Sequence, residues 1–340
     1  MKHSFNNLFV LSYGALGDFC VLLFFLDHVH RGASHARIVV VTTRNEKLLR
    51  EMAAAYPFIE IERIVPLAIV KLFLQTLFKK NIFVVPPTFF DMPSFVGYLS
   101  RLLTLFRGTV IGFASKARAP KFDITIPFET RDQFYKNFVA LLTTLGLPAE
   151  GTLSLTFIQD TSVLSTLGKG YIVLAPFASN PSKTLPPGRW VALLEFLHTK
   201  YPDKIVAILG GPHDKSAASQ MVSQSKNTNA RVLCGLPFAQ TAAIIAHTPC
   251  FIGVDYGLTH VAGVQHVHTV AIENLRTVMW LPRYNPNAKI LVEPKNCICD
   301  GERGRDCYWV IDGIQYSRCT VDIPQEKIEQ AIIDTIETHA

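Results

Sequence analysis

Apolar and polar positions alternate along this 340-residue chain in blocks that repeat strand, turn and helix. The first block is a continuous apolar run, Leu8 to Leu11, followed by a turn from Ser12 to Asp18 and an apolar helical run from Phe19 to His28. A second apolar strand, Arg37 to Thr42, leads into a helix from about Glu46 to Tyr56. Short strands without polar alternation, separated by helices, predict parallel βαβ units with both sheet faces covered. Residues 66–107 are mostly apolar, with Lys79 and Lys80 after the first run and Arg101 and Arg107 among Leu99, Leu102, Leu103, Leu105 and Phe106. Two readings stand for them: helices packed on a sheet, or a basic apolar surface that lies on a membrane.

A Gly-, Ser- and Thr-rich stretch from Pro148 to Lys169 reads as a domain connection. After it the pattern restarts more regularly, with strands at 171–175, 205–209, 231–233, 251–254 and 269–272 and helices between them, and a last helix from Gln325 to Thr338. The expected organisation is a first Rossmann-like domain over 1–160, a second over 161–323, and a C-terminal helix over 324–340. The chain length agrees with two cores rather than one. An apolar share of 49% with only 18% charged residues suits buried parallel sheets and excludes extended disorder.

The longest stretch without charge, Val232 to Val254, is interrupted by Gly235, Pro237, Gln240, His247 and Pro249, so it reads as helix, turn and strand rather than a membrane span. The opening residues lack the pattern of a cleaved leader, and a cytoplasmic location is expected. Residues 1–150 carry 17 Lys and Arg against 11 Asp and Glu, whereas residues 151–340 carry 16 of each. All of the excess positive charge therefore sits in the first half, which favours an anionic partner or membrane surface there. No nucleic-acid partner is expected.

Ligands of doubly wound sheets bind where strands run into helices. In the first such turn Gly14 and Gly17 allow a tight bend and Asp18 stands at the helix start, either as a helix cap or as a general base. The G-x-x-G-D spacing is not the dinucleotide fingerprint, which disfavours a nicotinamide dehydrogenase. Later, Ser179 and Lys183 occupy a strand-to-helix loop, where a lysine suits phosphate. Asp214 ends the turn Gly210-Gly211-Pro212-His213-Asp214 and suits ribose hydroxyls. Val254-Asp255-Tyr256-Gly257-Leu258-Thr259-His260 joins a buried strand to a helix whose first backbone N–H groups can receive an anion, with Asp255 as its expected cap. No Asp-x-Asp pair on an apolar strand is present to hold a metal–diphosphate complex.

These motifs resemble those of glycosyltransferase family 9, the ADP-heptose:lipopolysaccharide heptosyltransferases. The segments are GALGD at 14–18, APFASNPSK at 175–183 with Trp190, GGPHD at 210–214, VDYGLTHVAG at 254–263, and the run 274–299 into a cysteine cluster. The resemblance implies a GT-B fold, two Rossmann-like domains facing a central cleft, and an inverting transfer without a required cofactor. By the same resemblance Asp18 is the base on the acceptor hydroxyl, with Gly14 and Gly17 in its turn. Lys183 contacts the donor phosphates, Asp214 holds the ribose, and Asp255, Tyr256, Gly257, Thr259 and His260 form the diphosphate loop, with Ser179 beside it. The implied donor is an ADP-heptose and the implied acceptor an anionic glycolipid or saccharide of the lipopolysaccharide core, reached at the inner-membrane surface. Ser12, Tyr256 and the pair Leu185-Pro186 depart from the family's usual residues. Other readings are transfer to protein hydroxyls, a silent sugar-nucleotide-binding partner, or an epimerase, which needs further acid/base carboxylates.

Of seven cysteines, Cys20, Cys234 and Cys250 lie in apolar surroundings and read as core residues. Cys297, Cys299, Cys307 and Cys319 form C-x-C-x7-C-x11-C, a set that could hold structural zinc or iron.

Overall fold

A computed structural model describes residues 5–12, 14–77, 79–86, 108–114, 122–128, 134–149, 151–168, 170–275, 280–293 and 307–338. The chain divides into two compact units, Met1–Phe157 and Ile158–Ala340.

In the first unit β1 (Asn7–Ser12), β2 (Arg37–Thr42), β3 (Ile59–Arg63), β4 (Asn81–Val85), β5 (Gly108–Ala114) and β6 (Ile124–Pro127) form one sheet in the order β3-β2-β1-β4-β5-β6, with every pairing parallel. The register places Asn7 beside Asn81, and their buried amides share a hydrogen bond of 2.7 Å, which ties the starts of β1 and β4 together. Phe9, Leu11, Val39, Val41, Phe83, Val85 and Val110 make one apolar face of the sheet, with Leu72 packed on it. Burying such aliphatic and aromatic side chains stabilises by roughly 1.5–3 kcal/mol each relative to exposure.

Helix α1 (Leu16–Gly32) is longer at both ends than the apolar run that announced it. Its N-cap is Ala15, without a side-chain cap, so Asp18 lies inside the first turn. The capping role weighed for Asp18 is thus corrected; its carboxylate meets the positive end of the helix dipole from within the helix. Helix α2 (Glu46–Met52) follows β2. Helix α3 (Pro66–Thr76) begins with proline at its first position, where the missing N–H costs nothing. Leu72 is buried, but Leu67, Val70 and Leu74 are 80%, 53% and 61% exposed, so core packing describes only one face of this apolar helix. Leu99 to Arg107, the second half of the greasy stretch, lies outside the described residues. Helix α4 (Tyr135–Thr144) packs against α1.

The second unit repeats this plan. Its strands are β7 (Ile172–Ala175), β8 (Val206–Ile208), β9 (Ala230–Val232), β10 (Cys250–Val254), β11 (Thr269–Ile272) and β12 (Ala288–Leu291), in the order β12-β11-β10-β7-β8-β9 and all parallel. Helices α5 (Pro187–Lys200), α6 (Lys215–Gln224), α7 (Phe238–Ala246) and α8 (Gly257–Val264) intervene. A hairpin, β13 (Tyr308–Ile311) with β14 (Ile314–Ser317), is followed by the short α9 (Arg318–Val321) and by α10 (Gln325–Glu337). Helix α10 places Ile328, Ile332 and Ile336 in the same core as Trp190, Leu194, Ile252 and Val254. The helix expected as a separate C-terminal element is therefore part of the second unit.

Each sheet reverses its direction of growth once, between β1 and β4 in the first unit and between β7 and β10 in the second. A crevice for ligand opens beyond the carboxyl ends of the strands at such a switch point. No helix of the described residues is long and apolar enough to cross a membrane.

Candidate functional site

At the switch point of the second unit two loops meet. The first leaves β7, and Asn180 fixes it by accepting a hydrogen bond from Ser182 N (2.9 Å) ahead of a single helical turn, Pro181–Lys183. The Thr184 hydroxyl donates to the Pro176 carbonyl (2.6 Å) and receives the indole N–H of buried Trp190 (3.1 Å). These bonds hold Lys183 over the end of β7. The second loop leaves β10, and its Asp255 is 6% exposed. The Lys183 ammonium lies 2.9 Å from Asp255 Oδ2, bridging the two strand ends. Asn274 Nδ2 approaches the same oxygen at 3.4 Å.

Tyr256, not Asp255, occupies the N-cap position of α8, and the Tyr256 side chain makes no capping bond. A helix start presents backbone N–H groups and a positive dipole end that suit an anion. Gly253 is required just before it, because a Cβ there would lie 2.5 Å from the Phe251 ring and 2.6 Å from the Thr259 hydroxyl. That hydroxyl donates to the Val254 carbonyl (2.5 Å), so its proton closes the strand-to-helix turn. Gly257 is the first residue of α8.

His260 is buried, and Nδ1 is 2.9 Å from the Tyr284 hydroxyl, with the Trp280 ring edge-on to it. Burial depresses its pKa to about 4, against the pull of Asp255 and with the help of Lys183, so the imidazole is neutral at pH 7. Tyr256 packs its ring on the core, and burial, with a contribution from Asp214, raises its phenol. Asp214 accepts from the Gly211 N–H (2.7 Å) and closes its own turn at the end of β8. Ser179 is exposed on the β7 loop. A separate recess of about 300 Å³ lies under this loop, lined by Phe177, Thr184, Trp190, Met221 and Tyr316.

The structure therefore brings Lys183, Asp255, Asn274 and the start of α8 together. Asn274, Trp280 and Tyr284 lie in the 274–299 run that resembles the family but were not singled out as site residues, and Glu273 stands just before that run.

In the first unit Asp18 borders a small crevice with Leu11, Ser12, Leu22, Pro86, Phe134 and Phe138, between the ends of β1 and β4. Gly14 has φ +80°, and a Cβ on it would lie 2.5 Å from the Arg44 carbonyl oxygen. Its N–H donates to Ser12 Oγ (3.2 Å), and Asn45 Nδ2 donates to its carbonyl (2.7 Å). Gly17 is buried in the first turn of α1. The turn that presents Asp18 is thus held at both ends.

Among the cysteines, burial pushes Cys234 up to about 11 and Cys250 up to about 12, and raises Cys20 further, as inert core thiols require. Cys307 and Cys319 are buried and flank the open end of the β13–β14 hairpin, where Arg318 N donates to the Cys307 carbonyl (3.1 Å). Leu275 N lies 3.4 Å from Cys319 Sγ. Cys297 and Cys299 lie outside the described residues, and no group of three metal-ligating side chains occurs among the described ones.

A family model described as glycosyltransferase family 9 (heptosyltransferase) matches residues 100–306, which include Ser179, Lys183, Asp214, Asp255 and Asn274 but not Asp18, Cys307 or Cys319. No curated protein matches by sequence. Among solved structures, the E. coli ADP-heptose LPS heptosyltransferase II is 16% identical, with 98% of this chain and 99% of that chain covered and a TM-score of 0.69. The E. coli heptosyltransferase WaaC with ADP-2-deoxy-2-fluoro heptose is 14% identical, over 85% of this chain and 93% of that one, at a TM-score of 0.59. The iron-containing dodecameric glycosyltransferase TibC from enterotoxigenic E. coli H10407 is also 14% identical, over 99% and 78%, at 0.59. At these identities the likeness is one of fold, two Rossmann-like units of the GT-B kind.

Proposed function

The chain belongs to glycosyltransferase family 9, and from that premise we propose that it is an inverting, metal-independent transferase moving a heptose from an ADP-sugar to a saccharide of the lipopolysaccharide core. The observation that carries the proposal is the Lys183–Asp255 pair beside the start of α8 at the β7/β10 switch point. Lysine charge and backbone N–H groups together meet the two features of a diphosphate, its negative charge and its many acceptor oxygens. Asp214 and Tyr256 border this place, and we assign Asp214 to the ribose and Ser179, Gly257, Thr259 and His260 to the wall of the donor loop. The second unit is then the donor unit.

The first unit, with its excess positive charge, receives the anionic acceptor. Asp18 takes the proton of the acceptor hydroxyl as its oxygen attacks the anomeric carbon, and the bond from that carbon to the diphosphate breaks. ADP leaves with its new charge on the phosphate held by Lys183 and the helix N–H groups. A single displacement of this kind inverts the anomeric centre. The test is incubation with ADP-heptose and a lipopolysaccharide core fragment in the presence of chelator. The expected product is one added heptose of inverted configuration; tight donor binding without transfer would assign a silent binding partner instead.

Two attachments complete the proposal. Cys297, Cys299, Cys307 and Cys319 hold one structural iron or zinc, as their spacing, the place of Cys307 and Cys319 at the two ends of the hairpin and the iron content of TibC support. The group would fix the tail and takes no part in transfer. Protein purified without chelator should carry about one metal per chain by elemental analysis, and a metal-free preparation that is fully folded would exclude it. The exposed Leu67, Val70 and Leu74 on α3, flanked by Lys71, Lys79 and Lys80, face an anionic membrane surface. Co-sedimentation with anionic vesicles should fall when Leu67 and Leu74 become serine, and equal sedimentation would remove this contact.

A further inference from the structure

Glu273 stands one residue past β11, and Asp255 one residue past β10. The strands pair in parallel, with Gly253 beside Ala271 and Val254 beside Ile272, so the next step of the register sets Asp255 beside Glu273. Glu273 is 2% exposed, and among the described residues its Oε2 has no hydrogen-bond partner. Its backbone is fixed on both sides, the N–H donating to the Leu291 carbonyl (2.9 Å) and the carbonyl accepting from the Thr320 hydroxyl (3.2 Å). An acid so placed lowers the stability of the unliganded fold, because a buried polar atom without a partner loses its hydration for nothing. Burial, with the charge of Asp255 adding to it and that of Lys183 opposing, pushes its carboxyl well above the usual carboxylate range. Burial thus favours the protonated carboxyl of Glu273, which offers a hydrogen-bond donor.

We propose that Glu273 is a positioning residue of the donor site, whose carboxyl takes the place of Lys183 on Asp255 when the lysine turns to the donor's diphosphate. The proposal rests on the reading above that Lys183 engages that diphosphate. In the unliganded protein the lysine's charge is committed to Asp255 at 2.9 Å, with the Asp255 side chain only 5% exposed. Drawing the ammonium toward an anionic ligand weakens this bond and sets a buried carboxylate against the incoming negative charge, the costly half of a broken ion pair. Asn274 Nδ2 also lies 3.4 Å from Asp255 Oδ2. A protonated carboxyl at the neighbouring strand end supplies a charge-assisted O–H bond instead. Asp255 then keeps its position under α8 while Lys183 is released to the ligand, and no net charge is added to the site.

The test uses the full-length protein with ADP as the probe, comparing the parent with Glu273→Gln, Glu273→Leu and Lys183→Met. Glutamine keeps a neutral donor, so E273Q should bind ADP within about twofold of the parent. Leucine removes the donor, so E273L should lose about tenfold or more in affinity although its Tm equals or exceeds that of the parent. With the ADP-sugar, the loss should appear in KM more than in kcat. E273L binding like the parent, or E273Q falling as far as E273L, would overturn the proposal. K183M separates the two levels: weak ADP binding there with normal binding in E273L removes only the role of Glu273, whereas normal binding in K183M removes the diphosphate reading itself. Should E273L not fold, E273M carries the same expectation, and if neither folds the acid is a structural group and the proposal falls.

Discussion

Exchange of Asp18 for asparagine should lower sugar transfer about a thousandfold and leave ADP affinity unchanged. A positioned general base contributes on the order of 10²–10⁴ to such a reaction, and the amide keeps the size of the side chain while giving up its basicity. Asp18 lies inside the first turn of α1 rather than at its N-cap, so the substitution gives up a favourable contact with the helix dipole. That contact amounts to about 0.3–1 kcal/mol at a helix end. The fold should therefore survive, and a thermal melt of D18N within a few degrees of the parent is the control. Loss of both activity and ADP binding would mean that Asp18 is structural or that the units are assigned the wrong way round.

The second large effect is expected at Lys183. Its replacement by methionine should weaken ADP binding by one to two orders of magnitude, since a hydrogen bond to a charged group amounts to about 1.5–3 kcal/mol. The same change leaves Asp255 buried without its cation, so the melting temperature should fall as well. Pairing K183M with Asp255→Asn separates the two consequences. The double variant removes the uncompensated charge and should regain most of the lost stability, yet ADP affinity should stay low. Recovery of affinity together with stability would show that Lys183 acts on the fold and not on the ligand.

Much of this architecture is legible in the chain itself. Strands such as Leu8–Leu11 and Phe251–Val254 are continuous apolar runs because both faces of their sheets are covered, and the helices between them force parallel pairing. What escaped has a physical reason in each case. Strand β3 reads Ile-Glu-Ile-Glu-Arg because it is an edge strand; Glu60 there meets Arg37 of β2 across the sheet at 2.7 Å. Its charges hide it from a search for apolar runs, as the exposed Trp309 and Val310 hide the hairpin. The first unit consequently looked less regular than the second, although both sheets share one strand order.

At the site, the loops carrying Lys183 and Asp255 could be found from the sequence, because each joins an apolar strand to a helix. Their ion pair could not, since it depends on β10 lying next to β7, a matter of sheet order. Glu273 and Asn274 were hidden for a related reason: only the β10–β11 register brings them to Asp255. Thr259, expected in the diphosphate loop, has its hydroxyl proton on the Val254 carbonyl, a bond that the sequence does not announce.

The central claim is that the second unit holds the donor diphosphate through Lys183 while Asp18 acts only on the acceptor. Titration calorimetry of ADP-heptose into the parent, D18N and K183M, all with chelator present, tests it most directly. The account predicts equal donor affinity for the parent and D18N and a loss of one to two orders of magnitude for K183M. Donor binding that is unchanged in K183M, or that disappears when divalent metal is removed, would contradict it.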